Sequence, residues 1–229
     1  FCKVKETKGF VIGIQTEQFF DEAKNKLWGL KDAKKYNENI NFAMNSCNLF
    51  LDLNVSNKPY YEEVIKCNRY LHKIHFGPYV FPSKKIDMTA YSLEYGVFIG
   101  GMSKRRYGVI KNLQKILKIE VVSDLHYKEL DNEAIKYKFI INTHFQDGIY
   151  TEVPRLLLAY VLGKPVISES LSSEFNSNEH YINIDNAFKI NLNGDLVSRI
   201  YHNFSEYVTE NYSINLFLEK KIPENYLKK

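Results

Sequence analysis

Two stretches of the 229-residue sequence gather side chains suited to binding anions and hydroxyl groups. The first, from Phe98 to Ile110, reads FIGGMSKRRYGVI. Gly100 and Gly101 leave a strand-like run and precede a helix start. Free backbone N–H groups and the positive end of a helix dipole therefore meet the charges of Lys104, Arg105 and Arg106, which makes an anion cradle. The spacing is neither that of a Walker loop nor that of a dinucleotide fingerprint, and a tight turn followed by solvated charges accounts for the same residues. The second stretch, from Phe139 to Glu169, reads FIINTHFQDGIYTEVPRLLLAYVLGKPVISE. Asn142 and His144 follow a predicted buried strand, where open α/β sheets place their ligands. Glu152 and Arg155 stand three apart at a helix start and so share one face at the rim of the same cleft. In the first half of the chain, Glu17 is the carboxylate expected at a strand end and is the candidate general base. Thr16 and Glu17 also suit the first turn of a helix, and His72 and His75 flank the end of another.

The elements that must position these residues alternate strand-like and helix-like along most of the chain, the pattern of a parallel sheet with crossover helices. Strands are expected at Phe10 to Gln15, Cys47 to Leu53, Tyr95 to Ile99, Ile119 to Ser123, Lys138 to Asn142 and Pro165 to Ser168, with a Pro-broken extended piece from His75 to Phe81. Helices are expected over Phe19 to Tyr36, after Ser56 or Asn57 with Pro59 in the first turn and Tyr61, Val64, Ile65 and Leu71 on one face, over Tyr107 to Lys118, and over Asp195 to Val208. The helix from Leu156 to Leu162 is apolar on every side and is expected to be buried, ending at Gly163. Residues 83–93 show neither period. The chain is therefore read as a first domain at 1–82, a linker at 83–93 and a second domain at 94–229.

Composition limits the classes of function. With 45% hydrophobic and 25% charged residues the chain is globular, not disordered or fibrous. The net charge of +4, from 31 basic against 27 acidic residues, gives no reason to expect nucleic acid as a partner. Cys2, Cys47 and Cys67 sit at no metal-ligand spacing, so neither a zinc site nor a disulfide framework is expected. No run approaches the ~18 apolar residues of a membrane span, and no signal-peptide layout opens the chain. A cytoplasmic protein, in a bacterial or a host or viral cytosol, is the reading. The start at Phe1 and the short first half are those expected of either a minimal enzyme or a domain cut from a longer chain with additional domains.

Taken together, Phe98, Gly100, Arg105 and Arg106, then Asn142 and His144, then Glu152 and Arg155, then Gly163, Lys164, Val166, Ile167, Ser168 and Glu169 follow an order and spacing. That order resembles the donor-binding domain of GT-B glycosyltransferases of the small group-1-like type, with the pattern F-x-G-x-x-x-x-R-R, N-x-H, E-x-x-R, G-K-x-V-I-S-E. The resemblance covers about residues 95 to 170 and implies an α/β, GT-B-like fold of two Rossmann-like domains, the N-terminal one reduced. It implies a donor-binding set of Gly100, Gly101, Ser103, Arg105, Arg106, Asn142, His144, Tyr150, Glu152 and Arg155. Arg105 or Arg106 would face a diphosphate, and Glu152 and Arg155 would hold a nucleoside or sugar. The GIQTEQF segment resembles the start of the acceptor domain in the same enzymes. Many retaining members carry two glutamates eight positions apart; Tyr150 and Leu158 occupy those positions here, so inversion and retention both stay open. The implied activity is transfer of a sugar from a nucleotide-diphosphate sugar to a hydroxyl of a glycan or other acceptor, with no metal and no other cofactor. The alternative is a non-catalytic nucleotide or sugar-phosphate binding module of a larger polypeptide. A regulatory receiver domain is disfavoured, because no acidic cluster stands at the first strand end.

Overall fold

Short apolar runs form parallel strands, and the stretches with helical period cross over between them. The computed structural model describes residues 9–17, 20–21, 26–27, 33–63, 70–123, 128–145, 147–148, 151–188, 192 and 194–222. The chain divides into two compact units, Phe1–Tyr79 with Ile214–Lys229, and Val80–Ser213.

In the first unit, β1 (Ile12–Gln15), β4 (Leu49–Asp52) and β5 (Ile74–Phe76) form a parallel sheet in the order β1-β4-β5, and β2 (Phe20–Asp21) pairs antiparallel with β3 (Lys26–Leu27). Of the helix expected over Phe19 to Tyr36, residues 33–36 are helical, as the start of α1 (Ala33–Ser46), while the other described residues of that span form β2 and β3. The reason is burial. Ile40, Ala43, Met44 and Cys47 recur at helical spacing and pack in one cluster with Phe50. A 3₁₀ turn at Val55–Asn57 leads into α2 (Lys58–Glu63), and the Asn57 side-chain amide donates to Asp52. Of the stripe expected on that helix, Tyr61 is buried, Leu71 opens a 3₁₀ turn, and Val64 and Ile65 lie outside the described residues. The last helix, α8 (Ile214–Lys221), belongs to this unit: Phe217 packs edge-on to His75 at 5.6 Å and lies 5.4 Å from Tyr79.

The second unit holds β6 (Leu93–Ile99), α3 (Lys104–Leu113), β7 (Ile119–Val122), α4 (Lys128–Ala134), β8 (Tyr137–Asn142), α5 (Val153–Val161), β9 (Val166–Ser168), β10 (Ile182–Asn183), α6 (Ile184–Ala187) and α7 (Gly194–Tyr212). The strands are parallel in the order β10-β9-β8-β6-β7. Neighbouring residues on each strand enter opposite cores. Val97, Ile140 and Val166 pack with Leu156, Tyr160, Phe204 and Val208, while Phe98, Ile141 and Ile167 pack with Ile110, Leu113, Val197 and Ile200. Both faces are covered by helices, which is why these strands are continuously apolar. α5 is one-sided and not buried all round: Val153, Leu156, Ala159 and Tyr160 face inward, and Val161 is 47% exposed. Among the described residues no helix is long and apolar enough to cross a membrane.

The expected linker at 83–93 is part of the second unit. Tyr160 donates to the Lys84 carbonyl, Tyr201 and Ser205 to that of Ile86, and Thr89 to that of Leu162. Gly163 and Lys164 receive the segment. Gly163 takes φ +66°, and a Cβ there would stand 2.5 Å from the Asp87 carbonyl oxygen, so both conformation and space require glycine. The Gly163 and Lys164 amides donate back to Tyr160 and Ala159, closing the C-terminus of α5 as a Schellman motif. The Lys164 ammonium is buried and donates to the Ala90 carbonyl at 2.7 Å; burial lowers its pKa to about 8. A segment without period is thus held by side-chain bonds to its backbone, which hydrophobic patterning does not reveal.

Candidate functional site

In the second unit the chain runs from β6 to β7 in one direction and from β8 to β10 in the other. The carboxyl ends of β6 and β8 therefore flank a topological switch point, the place where such sheets open a crevice. Gly100 turns out of β6 at φ +130°, where a Cβ would approach the Arg155 guanidinium at 3.4 Å. Ser103 then caps α3, its hydroxyl accepting from the Arg106 amide at 3.2 Å. This cap starts the helix at Lys104, three residues before the expected Tyr107, and puts Arg105 and Arg106 in its first turn.

The two arginines have different surroundings. Arg105 forks onto Glu169, with Nη1 to Oε2 at 2.9 Å and Nη2 to Oε1 at 2.5 Å, and donates to the His144 carbonyl at 2.9 Å. Its Nε donates to Asp147, whose side chain is 83% exposed. Arg106 is buried, donating to Glu152 at 2.8 Å, to the Gly101 carbonyl at 2.9 Å and to the Thr143 carbonyl at 3.2 Å. Phe98 and Phe145 lie 5.4 and 5.2 Å from its guanidinium. Glu152, the N-cap residue of α5, uses its other oxygen to accept from Arg155. Arg155 also donates to Asn142 Oδ1 at 2.6 Å, and Asn142 in turn donates to Ser168 at 2.8 Å.

Burial opposes the charge on Glu169, but the bonds from Arg105 and from the His144 amide outweigh it and hold the carboxyl below its usual range. The Arg105 guanidinium is held above its ordinary value: its bond to Glu169 contributes most, exceeding the opposing effect of burial. His144 Nε2 faces the Ser170 carbonyl at 2.9 Å and must carry the proton, because a carbonyl only accepts. Burial lowers the His144 pKa, so the ring is neutral. The Thr143 hydroxyl is fully buried and has no hydrogen-bond partner among the described residues. Beside the Arg105–Glu169 pair opens a pocket of about 620 Å³, lined by Val109, Asn112, Gly148, Glu169, Asn183 and Phe188. Among the described residues no group of three His, Cys, Asp or Glu side chains is placed to hold a metal ion.

The structure thus brings together Gly100, Gly101, Ser103, Arg105, Arg106, Asn142, His144, Glu152 and Arg155 around the carboxyl ends of β6 and β8. Tyr150 lies outside the described residues. Glu17 belongs to the first unit, exposed beyond the end of β1, with its carbonyl accepting from Asn57 at 3.0 Å. His72 is exposed, and His75 is half-buried beside Phe217. Glu169 and Asp147 join the site as partners of Arg105, although the sequence assigned them no role there. Glu169 directly follows a strand, and the same strand-end rule applied to Asn142 would have selected it.

No family model and no curated protein matches this sequence. Among solved structures, the chain resembles the crystal structure of a GtfA/B complex with a TM-score of 0.52 and 11% sequence identity, over 90% of this chain and 50% of that one. The chain spans about half the length of that structure. At this identity the likeness is one of fold: α/β with parallel sheets, GT-B-like, with Rossmann-like units.

Proposed function

We propose that the chain is a glycosyltransferase that moves a sugar from a nucleotide-diphosphate sugar to a hydroxyl of a glycan or other acceptor. The observation that carries this reading is the set of arginines at the switch point of a GT-B-like unit. Arg105 meets the donor diphosphate. Its inner face is fixed by Glu169, and its outer partner Asp147 is solvent-exposed, so a phosphate oxygen can take that place. Arg106 and Arg155, joined through Glu152, donate to the Gly101 and Ile99 carbonyls and so hold the Gly100–Gly101 turn in position, and Asn142 and His144 line the cleft. As the glycosidic bond to the donor breaks, charge grows on the departing diphosphate. The Arg105 guanidinium and the amides at the start of α3 stabilise it without a metal. The first unit is the acceptor side, with Glu17 the general base for the acceptor hydroxyl in an inverting reaction.

One observation favours a second reading. Arg105, Arg106 and Arg155 are each paired with a carboxylate, a self-sufficient network that also suits a non-catalytic binding module. Incubation with UDP-, GDP-, TDP- and CMP-sugars separates the two: release of the nucleoside diphosphate, or of CMP from the CMP-sugars, identifies the enzyme, and a thermal shift without turnover identifies the module. Arg105→Ala is expected to lower donor affinity by about tenfold or more, the effect of losing a charge-assisted pair. Unchanged affinity in that variant, with the fold intact, would sink the assignment.

A further inference from the structure

The first unit carries a second polar constellation at a strand end, which the sequence hid inside an apolar run. Asp52 closes β4, the middle strand of β1-β4-β5, and is fully buried. Its carboxylate accepts from the Asn54 amide at 2.8 Å, from Asn57 Nδ2 at 3.1 and 3.0 Å, and from the Tyr61 hydroxyl at 2.8 Å. Two of these donors belong to residues that also hold the segment leaving β1. Asn57 Nδ2 donates to the Glu17 carbonyl at 3.0 Å, and Asn54 Nδ2 donates to the Thr16 carbonyl at 3.0 Å. The Asn54 amide oxygen is buried and has no partner among the described residues. Turning the amide over would set that oxygen against the Thr16 carbonyl, so the side chain is fixed in an orientation that leaves a buried acceptor unmet. The clamp on Thr16 is retained against that cost.

We propose that Asp52 is a positioning residue for the transfer reaction. Through Asn57 and Asn54 it holds the Thr16–Glu17 backbone at the carboxyl end of the first sheet, and so sets where the Glu17 carboxylate stands. This rests on the reading of Glu17 as general base. When ionised, the Asp52 carboxylate accepts from three donor groups at once with neither oxygen left over, which a carboxamide of the same shape cannot do. Asp52→Asn keeps the shape but presents an N–H₂ to groups that donate, so at least one bond to Asn57, Tyr61 or the Asn54 amide is lost. Asn54→Ala cuts the link to Thr16 without touching Asp52.

The test uses the best donor from the sugar-nucleotide panel and p-nitrophenyl glycosides as acceptors. Variants are Asp52→Asn, Asn54→Ala, Glu17→Gln and Asp52→Asn combined with Glu17→Gln, with thermal melts to confirm folding. Asp52→Asn and Asn54→Ala are expected to lower kcat for transfer about tenfold or more, the scale set by misplacing a catalytic group, with the donor KM unchanged. Asp52→Asn should add no further loss in the Glu17→Gln background, because it acts through Glu17. Normal kcat in folded Asp52→Asn and Asn54→Ala, with Glu17→Gln inactive, overturns this inference alone, and so do losses that multiply with Glu17→Gln. Normal transfer by Glu17→Gln removes the general-base reading and this inference with it.

Discussion

Two strand ends, one in each unit, show how differently the same topological position can treat a carboxylate drawn out of water. Glu169 follows β9 of the second sheet and Asp52 ends β4 of the first, and burial pushes both carboxyls toward the neutral form. Glu169 meets the fork of Arg105 and stays below the usual carboxylate range. Among the described residues the partners of Asp52 are uncharged: two asparagines and a tyrosine. Their bonds lower its pKa, but burial outweighs them and raises it to about 7. A cation therefore decides which way a buried carboxylate shifts, and neutral donors only moderate it. The same contrast separates the proposed tasks. The second unit keeps permanent charges for a charged ligand, and the first uses a carboxylate to order its own backbone.

The largest expected effect comes from breaking the charge pairing. Glu152→Ala leaves Arg106 and Arg155, both largely buried, without their shared carboxylate. Loss of one partner of a buried pair costs about 3–5 kcal/mol, so the urea unfolding of the second unit should move to much lower denaturant. A change below about 1 kcal/mol would show that the guanidinium bonds to backbone carbonyls suffice. A middle-sized effect should come from Asp52. Its pKa is raised on folding, so the stability it contributes is greatest below the ordinary carboxylate range and is lost as pH rises through about 7. Between pH 5 and pH 8 the wild-type first unit should lose about 2 kcal/mol that Asp52→Asn does not lose. Equal pH dependence of the two urea midpoints would contradict the assigned direction. The smallest effect belongs to Asp147→Ala. With so exposed a partner, removal should change stability by less than about 1 kcal/mol, while affinity for UDP in a titration stays level or rises because a competitor for Arg105 is gone. Weaker UDP binding would mean that Asp147 orients Arg105 and does not merely occupy it.

Much of the second unit is legible in the residues themselves. The runs ending at Ile99, Asn142 and Ser168 are apolar because both faces of a parallel sheet are covered, and such runs have few other uses. The glycines and the arginine pair after β6, and Asn142 and His144 after β8, could be placed at strand ends by counting. Three things were out of reach. Arg105 stands 64 residues from Glu169, and only the sheet order brings them together. Asp52 sits in an apolar run, where period and hydropathy read it as strand interior. The return of α8 to the first unit depends on Phe217 finding His75 and Tyr79, and nothing local to 214–221 announces those partners.

By itself, the sequence determined the alternation of strand and helix, the α/β class and the strand ends at which polar groups collect. These follow from local period, turn chemistry and burial of short apolar runs, all of which act over a few residues. The tertiary structure decided how each charge is spent. Arg105 reaches the surface and Arg106 does not, Glu152 is shared between two arginines, and Asp52 is surrounded by neutral donors. Those outcomes depend on which distant groups share a desolvated space, and the energy of a buried charge is set by its partners there and not by its neighbours along the chain.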